Sequence, residues 1–348
     1  MIKVLIVDDS AIVRKILTEE LSKCPDIEIV GTAVDPYVAR EKIAKFRPDV
    51  LTLDLEMPRM DGLSFLAKLM QHYPMPVVIL SSLTPKNSEL AIKALELGAV
   101  DVLAKPGTAY STQNVAQQLI RSIRAAATAV INRHGRDAAV SAEMRQPLAK
   151  LLSQTTHKIV AIGASTGGTK AIEEVLTRMP ATTPGTLIVQ HMPEHFTTSF
   201  AKRLNDICQM EVREARDNEF VAPGVALIAP GNMHMVLQRS GGNYLVRIKN
   251  GPMVHYQRPS VDVLFQSVAT GAGKNAVGVI LTGMGADGAK GLLQMKQAGA
   301  FTIAQSEASC VVFGMPKEAI RMGAADRVVD LENIPAAIID ALQAERTS

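Results

Sequence analysis

The strongest limit on this chain is a repeated pattern. Short apolar runs each stop at a charged, hydroxyl or glycine residue, and a stretch with helical spacing follows. Lys3-Val-Leu-Ile-Val7 stops at Asp8-Asp9, with Ser10 placed to cap a helix from Ala11 to Leu21. Glu28 to Ala33 precedes a helix from Val38 to Lys45. Asp49 to Leu53 stops at Asp54, ahead of a helix from Gly62 to Met70. Pro76 to Leu80 stops at Ser81-Ser82, ahead of Glu89 to Leu97, and Asp101 to Ala104 stops at Lys105-Pro106, ahead of Val115 to Ala127. Strict strand–helix alternation predicts a parallel sheet covered by helices on both faces.

At 348 residues the chain is long enough for about two domains of roughly 150 residues each. The periodicity places them at residues 1–125 and 158–348. A polar linker at 126–157 holds His134 and His157 as solvated side chains. Hydrophobic residues make up 47% of the chain, so each domain can bury a core. The net charge of +3 is spread along the chain, and there is no basic run or recognition-helix pattern. Both points argue against nucleic acid as a partner. Cys24, Cys208 and Cys310 are too scattered for a metal site or a disulfide framework. They read as small buried hydrophobes in a reducing compartment. The N-terminus enters a strand directly, and no apolar run reaches membrane-span length. A cytoplasmic protein without membrane insertion is expected.

In an open parallel sheet, functional side chains gather at the carboxyl ends of the strands. There the first domain places Asp8, Asp9, Asp54, Ser81 and Lys105. Converging carboxylates repel one another unless a cation sits among them, and a hard ion such as Mg²⁺ takes such oxygen ligands. Asp8-Asp9, Asp54-x-x-Met57-Pro58-x-Met60-Asp-Gly62, Ser81 and Lys105-Pro106 together resemble a two-component receiver domain, over the whole of residues 1–125. The resemblance implies phosphorylation of Asp54, and Mg²⁺ held by Asp8, Asp9, Asp54 and the Glu56 carbonyl. It also implies a phosphate-facing hydroxyl at Ser81 and a phosphate-pairing Lys105. The chain departs from the family at Val102, where an aromatic switch residue is usual.

The second domain opens with an apolar strand, Ile159 to Ile162, running into Gly163-Ala-Ser-Thr-Gly-Gly168 and then a helical stretch. Gly163 to Gly167 fits G-x-S-x-G, the turn that lifts a serine above a sheet. A glycine turn before a helix equally suits a phosphate. The strand Gly185 to Gln190 ends at His191-Met-Pro-Glu-His195. Pro193 speaks against a two-histidine zinc helix there, placing His191 at a strand end and His195 inside the next helix, Thr197 to Asn205. Short strands are expected at Val212, Val225 to Ala229 and Tyr244 to Ile248. His234 and His255 read as loop or substrate-edge residues and not as the base, and Ser260 as the N-cap of a helix from Val261 to Val268. Ala276 to Leu281 is an apolar strand ending in Thr282-Gly-Met-Gly-Ala-Asp-Gly288.

Serine, histidine and aspartate at three strand ends are the residue types acyl transfer needs: a nucleophile, a base, and a carboxylate that orients the base. Backbone N–H groups of Gly283-Met284-Gly285, or those just after Ser165, are the candidate oxyanion donors. The alternative is a phosphate-binding α/β domain in which the three residues decorate glycine loops. Gly163-Ala-Ser-Thr-Gly-Gly168, Gln190-His-Met-Pro193, Leu281-Thr-Gly-Met-Gly-Ala-Asp-Gly288 and Phe313-Gly-Met-Pro316 resemble the motifs of chemotaxis protein-glutamate methylesterases, the CheB family. The resemblance spans the chain. It implies an α/β architecture of two doubly wound parallel-sheet domains, the first flavodoxin-like, and Ser165 as nucleophile, His191 as base and Asp287 as orienter. Thr166 and Met284 line the site by the same matching, and no cofactor is implied in this domain.

The implied activity is phosphorylation-activated hydrolysis of glutamate γ-methyl esters on methyl-accepting chemoreceptors, with deamidation of receptor glutamines. A chemotaxis histidine kinase is the implied phosphodonor. The competing reading is a response regulator whose second domain only binds a partner.

Overall fold

The computed structural model describes residues 1–106, 112–129 and 158–344. Two compact units, Met1–Gly135 and Arg136–Ser348, divide the chain. The 126–157 linker, with His134 and His157, lies almost wholly outside the described residues.

The first unit alternates strand and helix as the sequence predicts: β1 (Ile2–Val7), α1 (Ala11–Leu21), β2 (Ile27–Ala33), α2 (Pro36–Phe46), β3 (Val50–Asp54), α3 (Gly62–His72), β4 (Val77–Ser81), α4 (Pro85–Glu96), β5 (Asp101–Ala104) and α5 (Thr112–Thr128). The strands pair in parallel in the order β2-β1-β3-β4-β5, the doubly wound arrangement. Their near-continuous apolar runs are explained by burial on both faces: Val4 to Val7, Leu51, Leu53 and Val77 to Leu80 are essentially inaccessible. Ser10, Asp35, Asp61 and Thr84 start α1 to α4 by accepting first-turn backbone N–H bonds.

The second unit contains β6 (Ile159–Ala164), α6 (Gly168–Leu176), β7 (Thr186–Gln190), α7 (Phe196–Ile207), β8 (Glu211–Glu214), β9 (Glu219–Phe220), β10 (Val225–Ile228), β11 (His234–Ser240) and β12 (Asn243–Lys249). It continues with α8 (Val261–Gly271), β13 (Ala276–Ile280), α9 (Ala289–Gln297), β14 (Phe301–Gln305), α10 (Met315–Arg321), β15 (Arg327–Val329) and α11 (Ile334–Gln343). Seven strands form a parallel sheet in the order β15-β14-β13-β6-β7-β10-β8. From β6 the chain builds one way through β7 and β10, then returns to build the other way from β13. The switch point therefore falls between β6 and β13, where functional side chains of such sheets gather at the strand carboxyl ends.

Three expectations need correction. A second sheet, antiparallel β11-β12-β9, accompanies the parallel one. Its β12 is the strand expected at Tyr244 to Ile248, while β9 and β11 are hidden by their short or mixed polar sequences. His234 accordingly is a strand residue, 5% exposed, and not a loop histidine. His195 is the N-cap of α7, not a residue within it. It is exposed and its φ of 69° cannot continue a helix.

The antiparallel sheet packs on α8. Met235, Leu237, Val246, Leu264, Phe265 and Val268 join one buried cluster with strands of the parallel sheet. Phe265 has no exposed surface. Phe265→Ala should therefore cost about 3–5 kcal/mol in this unit, read as a lower denaturant midpoint for its transition alone.

Candidate active site

The elbow after β6 forms as its glycines require. Gly167 adopts a φ of 76° at the start of α6, a conformation that a side chain disfavours. Ser165 is buried at this turn, 8% exposed, and its N–H donates to Thr282 O at 3.0 Å. Across the switch point, the loop after β13 passes directly over it: a Cβ placed on Gly283 would lie 2.6 Å from Ser165 Cβ. On the other side, His191 N–H donates to Ala164 O at 3.1 Å, tying the end of β7 to the end of β6. Three neighbouring strand ends thus bring Ser165, His191 and the Asp287 loop together.

His191 Nε2 lies 2.7 Å from Asp287 Oδ2, with both side chains almost fully buried. A carboxylate only accepts, so Nε2 donates to it, and in the neutral ring that tautomer leaves the lone pair on Nδ1. Nδ1 is buried and has no hydrogen-bond partner. Asp287 takes three further donors: Ser260 Oγ at 2.8 Å, the Val261 N–H at 2.8 Å and the Asp262 N–H at 3.0 Å. The last two open α8, so the carboxylate also meets the positive end of that helix. Burial alone pushes the Asp287 carboxyl up, but the His191 ring, the Asp262 N–H and Ser260 outweigh it, and the net shift is downward. Asp287 is an ionised acceptor.

The oxyanion candidates narrow. Gly283 N–H is committed to Val312 O at 3.1 Å and Gly168 N–H to Ser165 O at 2.7 Å. Met284 and Gly285 remain from the glycine loop. Thr166 is 3% exposed, and its carbonyl accepts from Thr282 Oγ1 at 3.0 Å; Met284 is half-buried. One residue with no place in the sequence reading is Gln190. Its Nε2 donates to both Ser165 O at 2.9 Å and His191 O at 3.1 Å, so a single buried amide spans the serine and histidine backbones. Its position inside the Gln190-His-Met-Pro193 motif was the available signal. The Cys208 and Cys310 thiols are pushed up to about 12 by burial, which removes them as nucleophiles.

In the first unit, Asp8, Asp9 and Asp54 offer oxygens that all lie within 4.8 Å of one another. Lys105 Nζ sits 2.6 Å from Asp54 Oδ2 and 3.0 Å from Asp8 Oδ2. Burial, reinforced by the neighbouring Asp8 charge and only partly offset by Lys105, raises the Asp54 carboxyl to about 6. Ser81 is buried with an unpartnered hydroxyl. The Glu56 carboxylate accepts from Ser82 Oγ at 3.1 Å and Asn87 Nδ2 at 2.7 Å. Val102 is buried in β5.

The folds and the two crevices define a response regulator: a receiver joined to an α/β domain with a buried aspartate–histidine pair at its switch point. A family model for the response regulator receiver domain matches residues 4–117, and one for CheB methylesterase matches residues 160–338. Protein-glutamate methylesterase/protein-glutamine glutaminase 2 of Syntrophus aciditrophicus is 61% identical over 342 residues, covering 97% of this chain and 98% of that one. The protein-glutamate methylesterase/protein-glutamine glutaminase of Methylobacillus flagellatus is 53% identical over 345 residues, covering 99% and 97%. The crystal structure of the Thermotoga maritima CheB methylesterase catalytic domain superposes with a TM-score of 0.52 at 40% identity, covering 53% of this chain and 97% of that domain. The chain belongs to the CheB methylesterase family.

The depressed Asp287 carboxyl has a consequence for stability. Its charged form favours the fold above the ordinary value of 3.8, and that contribution disappears as pH falls through the lower folded value. Asp287→Asn should lower the stability of the second unit by about 1–3 kcal/mol at neutral pH. The gap between variant and parent should close below about pH 4, as followed by urea denaturation across pH.

Proposed function

We propose that this chain is a phosphorylation-activated serine esterase. It hydrolyses glutamate γ-methyl esters on methyl-accepting chemoreceptors, releasing methanol, and deamidates receptor glutamines. The carrying observation is the His191 ring, held at 2.7 Å by an ionised Asp287, with its second nitrogen buried and unpartnered and its backbone N–H tied to Ala164 O just before Ser165. The names of the relatives, each a protein-glutamate methylesterase/protein-glutamine glutaminase, supply the substrate class. We assign the receiver to residues 1–125, the linker to 126–157 and the catalytic domain to 158–348, acting in the cytoplasm.

In this reading His191 Nδ1 takes the Ser165 proton as Oγ attacks the ester carbonyl. Asp287 holds the tautomer and stabilises the imidazolium. The Met284 and Gly285 N–H groups are the loop's donors toward the developing oxyanion, with Thr166 at the site wall. On collapse the imidazolium returns its proton to the departing methoxide, giving methanol. Water, deprotonated by the same nitrogen, then cleaves the acyl-enzyme to free glutamate. A glutamine side chain follows the same course with ammonia leaving.

In the receiver, Asp54 is the phosphate acceptor from a chemotaxis histidine kinase. The clustered oxygens of Asp8, Asp9 and Asp54 fit a hard divalent ion, and these residues with the Glu56 carbonyl would hold Mg²⁺. The chemistry Mg²⁺ supplies there is neutralisation of phosphoryl charge. Lys105 pairs with a phosphoryl oxygen, and the unpartnered Ser81 hydroxyl is available to the phosphate.

Methanol release from a methylated receptor fragment tests the reading. Ser165→Ala should fold as the parent does and lose at least about a thousandfold in kcat; near-parental turnover would remove Ser165 from the role. A second expectation concerns control. A small phosphodonor with Mg²⁺ should raise the parental rate, whereas Asp54→Ala, or the parent with EDTA, should show only the basal rate. Stimulation that survives both changes would mean Asp54 is not the acceptor.

A further inference from the structure

Ser260 belongs to none of the motifs of the second domain, yet it makes the closest side-chain contact to Asp287 after His191. It is fully buried, and its Oγ lies 2.8 Å from Asp287 Oδ1. The hydroxyl has one proton, and an ionised carboxylate has none to offer, so Ser260 donates. Its capping bond from the Val263 N–H is long, at 3.4 Å. The two Asp287 oxygens are thereby given different tasks. Oδ1 receives Ser260 Oγ and the Asp262 N–H, while Oδ2 receives the Val261 N–H and His191.

Ser260 is itself seated from behind. Its N–H donates to His234 Nδ1 at 3.3 Å. His234 Nε2 faces Pro252 O at 2.9 Å, a group that only accepts, so the Nε2–H tautomer satisfies both partners. The chain leading to Ser260 is pinned as well. Arg258 donates to Gly251 O at 2.6 Å, to Asn250 Oδ1 at 2.7 Å and to Asn232 Oδ1 at 2.6 Å. A relay of fixed contacts thus runs from β11 through His234 and Ser260 to Asp287 and His191.

We propose that Ser260, seated by His234, is a positioning residue for the esterase, holding Asp287 as a carboxylate with one oxygen turned to His191. This role rests on Ser165, His191 and Asp287 acting as proposed. The charged and titratable groups around Asp287 are His191 at the end of β7, Asp262 on the first turn of α8, and His255, a ring nitrogen of which lies within 4.8 Å of both carboxylates. His255 lies 3.2 Å from Asp262, and His234 acts through Ser260. Deleting the Ser260 hydroxyl removes a donor that favours the charged carboxylate. The Asp287 carboxyl then takes up a proton at higher pH, and the acid limb of the rate profile moves up.

The test uses the full chain, activated by a small phosphodonor with Mg²⁺, and methanol release from a methylated receptor fragment across pH. Ser260→Ala should lower kcat about ten- to a hundredfold with KM changed less than about threefold, and should move the acid limb up by about one pH unit. Ser260→Thr, which keeps the hydroxyl, should stay within about threefold of the parent. His234→Gln should move the limb the same way by a smaller amount, and it decides the matter alone if Ser260→Ala does not fold by circular dichroism. A parental rate and limb in Ser260→Ala, or a Ser260→Thr as slow as Ser260→Ala, overturns the positioning role. Asp287→Asn is run in parallel. If it is as active as the parent, the triad itself is wrong. If it is slow while Ser260→Ala is parental, only the role of Ser260 is wrong.

Discussion

Everything at the carboxyl edge of the second domain depends on one buried carboxylate being fully satisfied. Asp287 is 2% exposed and would be a liability in that position without partners, because burial disfavours its charge. Four donors converge on it from three elements: the end of β7, the residue before α8, and the first turn of α8. The same bonds that keep it ionised therefore lock α8 against the loop after β13 and hold the His191 ring in one orientation. Stability and the geometry of the proposed chemistry share these contacts, so the site cannot loosen without the helix loosening too.

The receiver solves the same problem differently. Asp54 is as buried as Asp287, but its carboxyl is raised while that of Asp287 is lowered. Asp54 has Lys105 and the Glu56 N–H as partners, and it also faces the Asp8 charge. Two buried carboxylates with one lysine between them are under-compensated. That suits the cation and phosphoryl group proposed for this crevice, just as full compensation suits the orienting task proposed for Asp287.

Topology brings each set of residues together. In the parallel sheet of the second domain the strand order reverses between β6 and β13, so the turns after these neighbouring strands meet at one edge. Only a glycine at 283 lets the β13 loop cross so near Ser165. Gln190 then ties the backbones at Ser165 and His191 with one amide, fixing a spacing that two independent turns would not hold.

Asp8, Asp54, Lys105, Ser165 and His191 were legible in the sequence because each follows an apolar run, and Asp287 because it stands in the glycine loop after one; parallel topology carries such ends to one edge. Strand and helix periods are local, so the alternating elements of both domains were readable in the same way. Ser260 was legible only as a helix cap. That its hydroxyl reaches Asp287, 27 residues further along, depends on where the start of α8 docks, which no local pattern encodes. The pairing of β12 with β11 and β9, the burial of His234 and the commitment of the Gly283 N–H to Val312 were hidden for the same reason. Short, mixed-polarity strands and single backbone donors gain their partners only through packing. The sequence by itself determined which residue types stand at the strand ends. The tertiary structure decided which donors each of them meets, and hence which carboxylate is held charged and which is left to be neutralised.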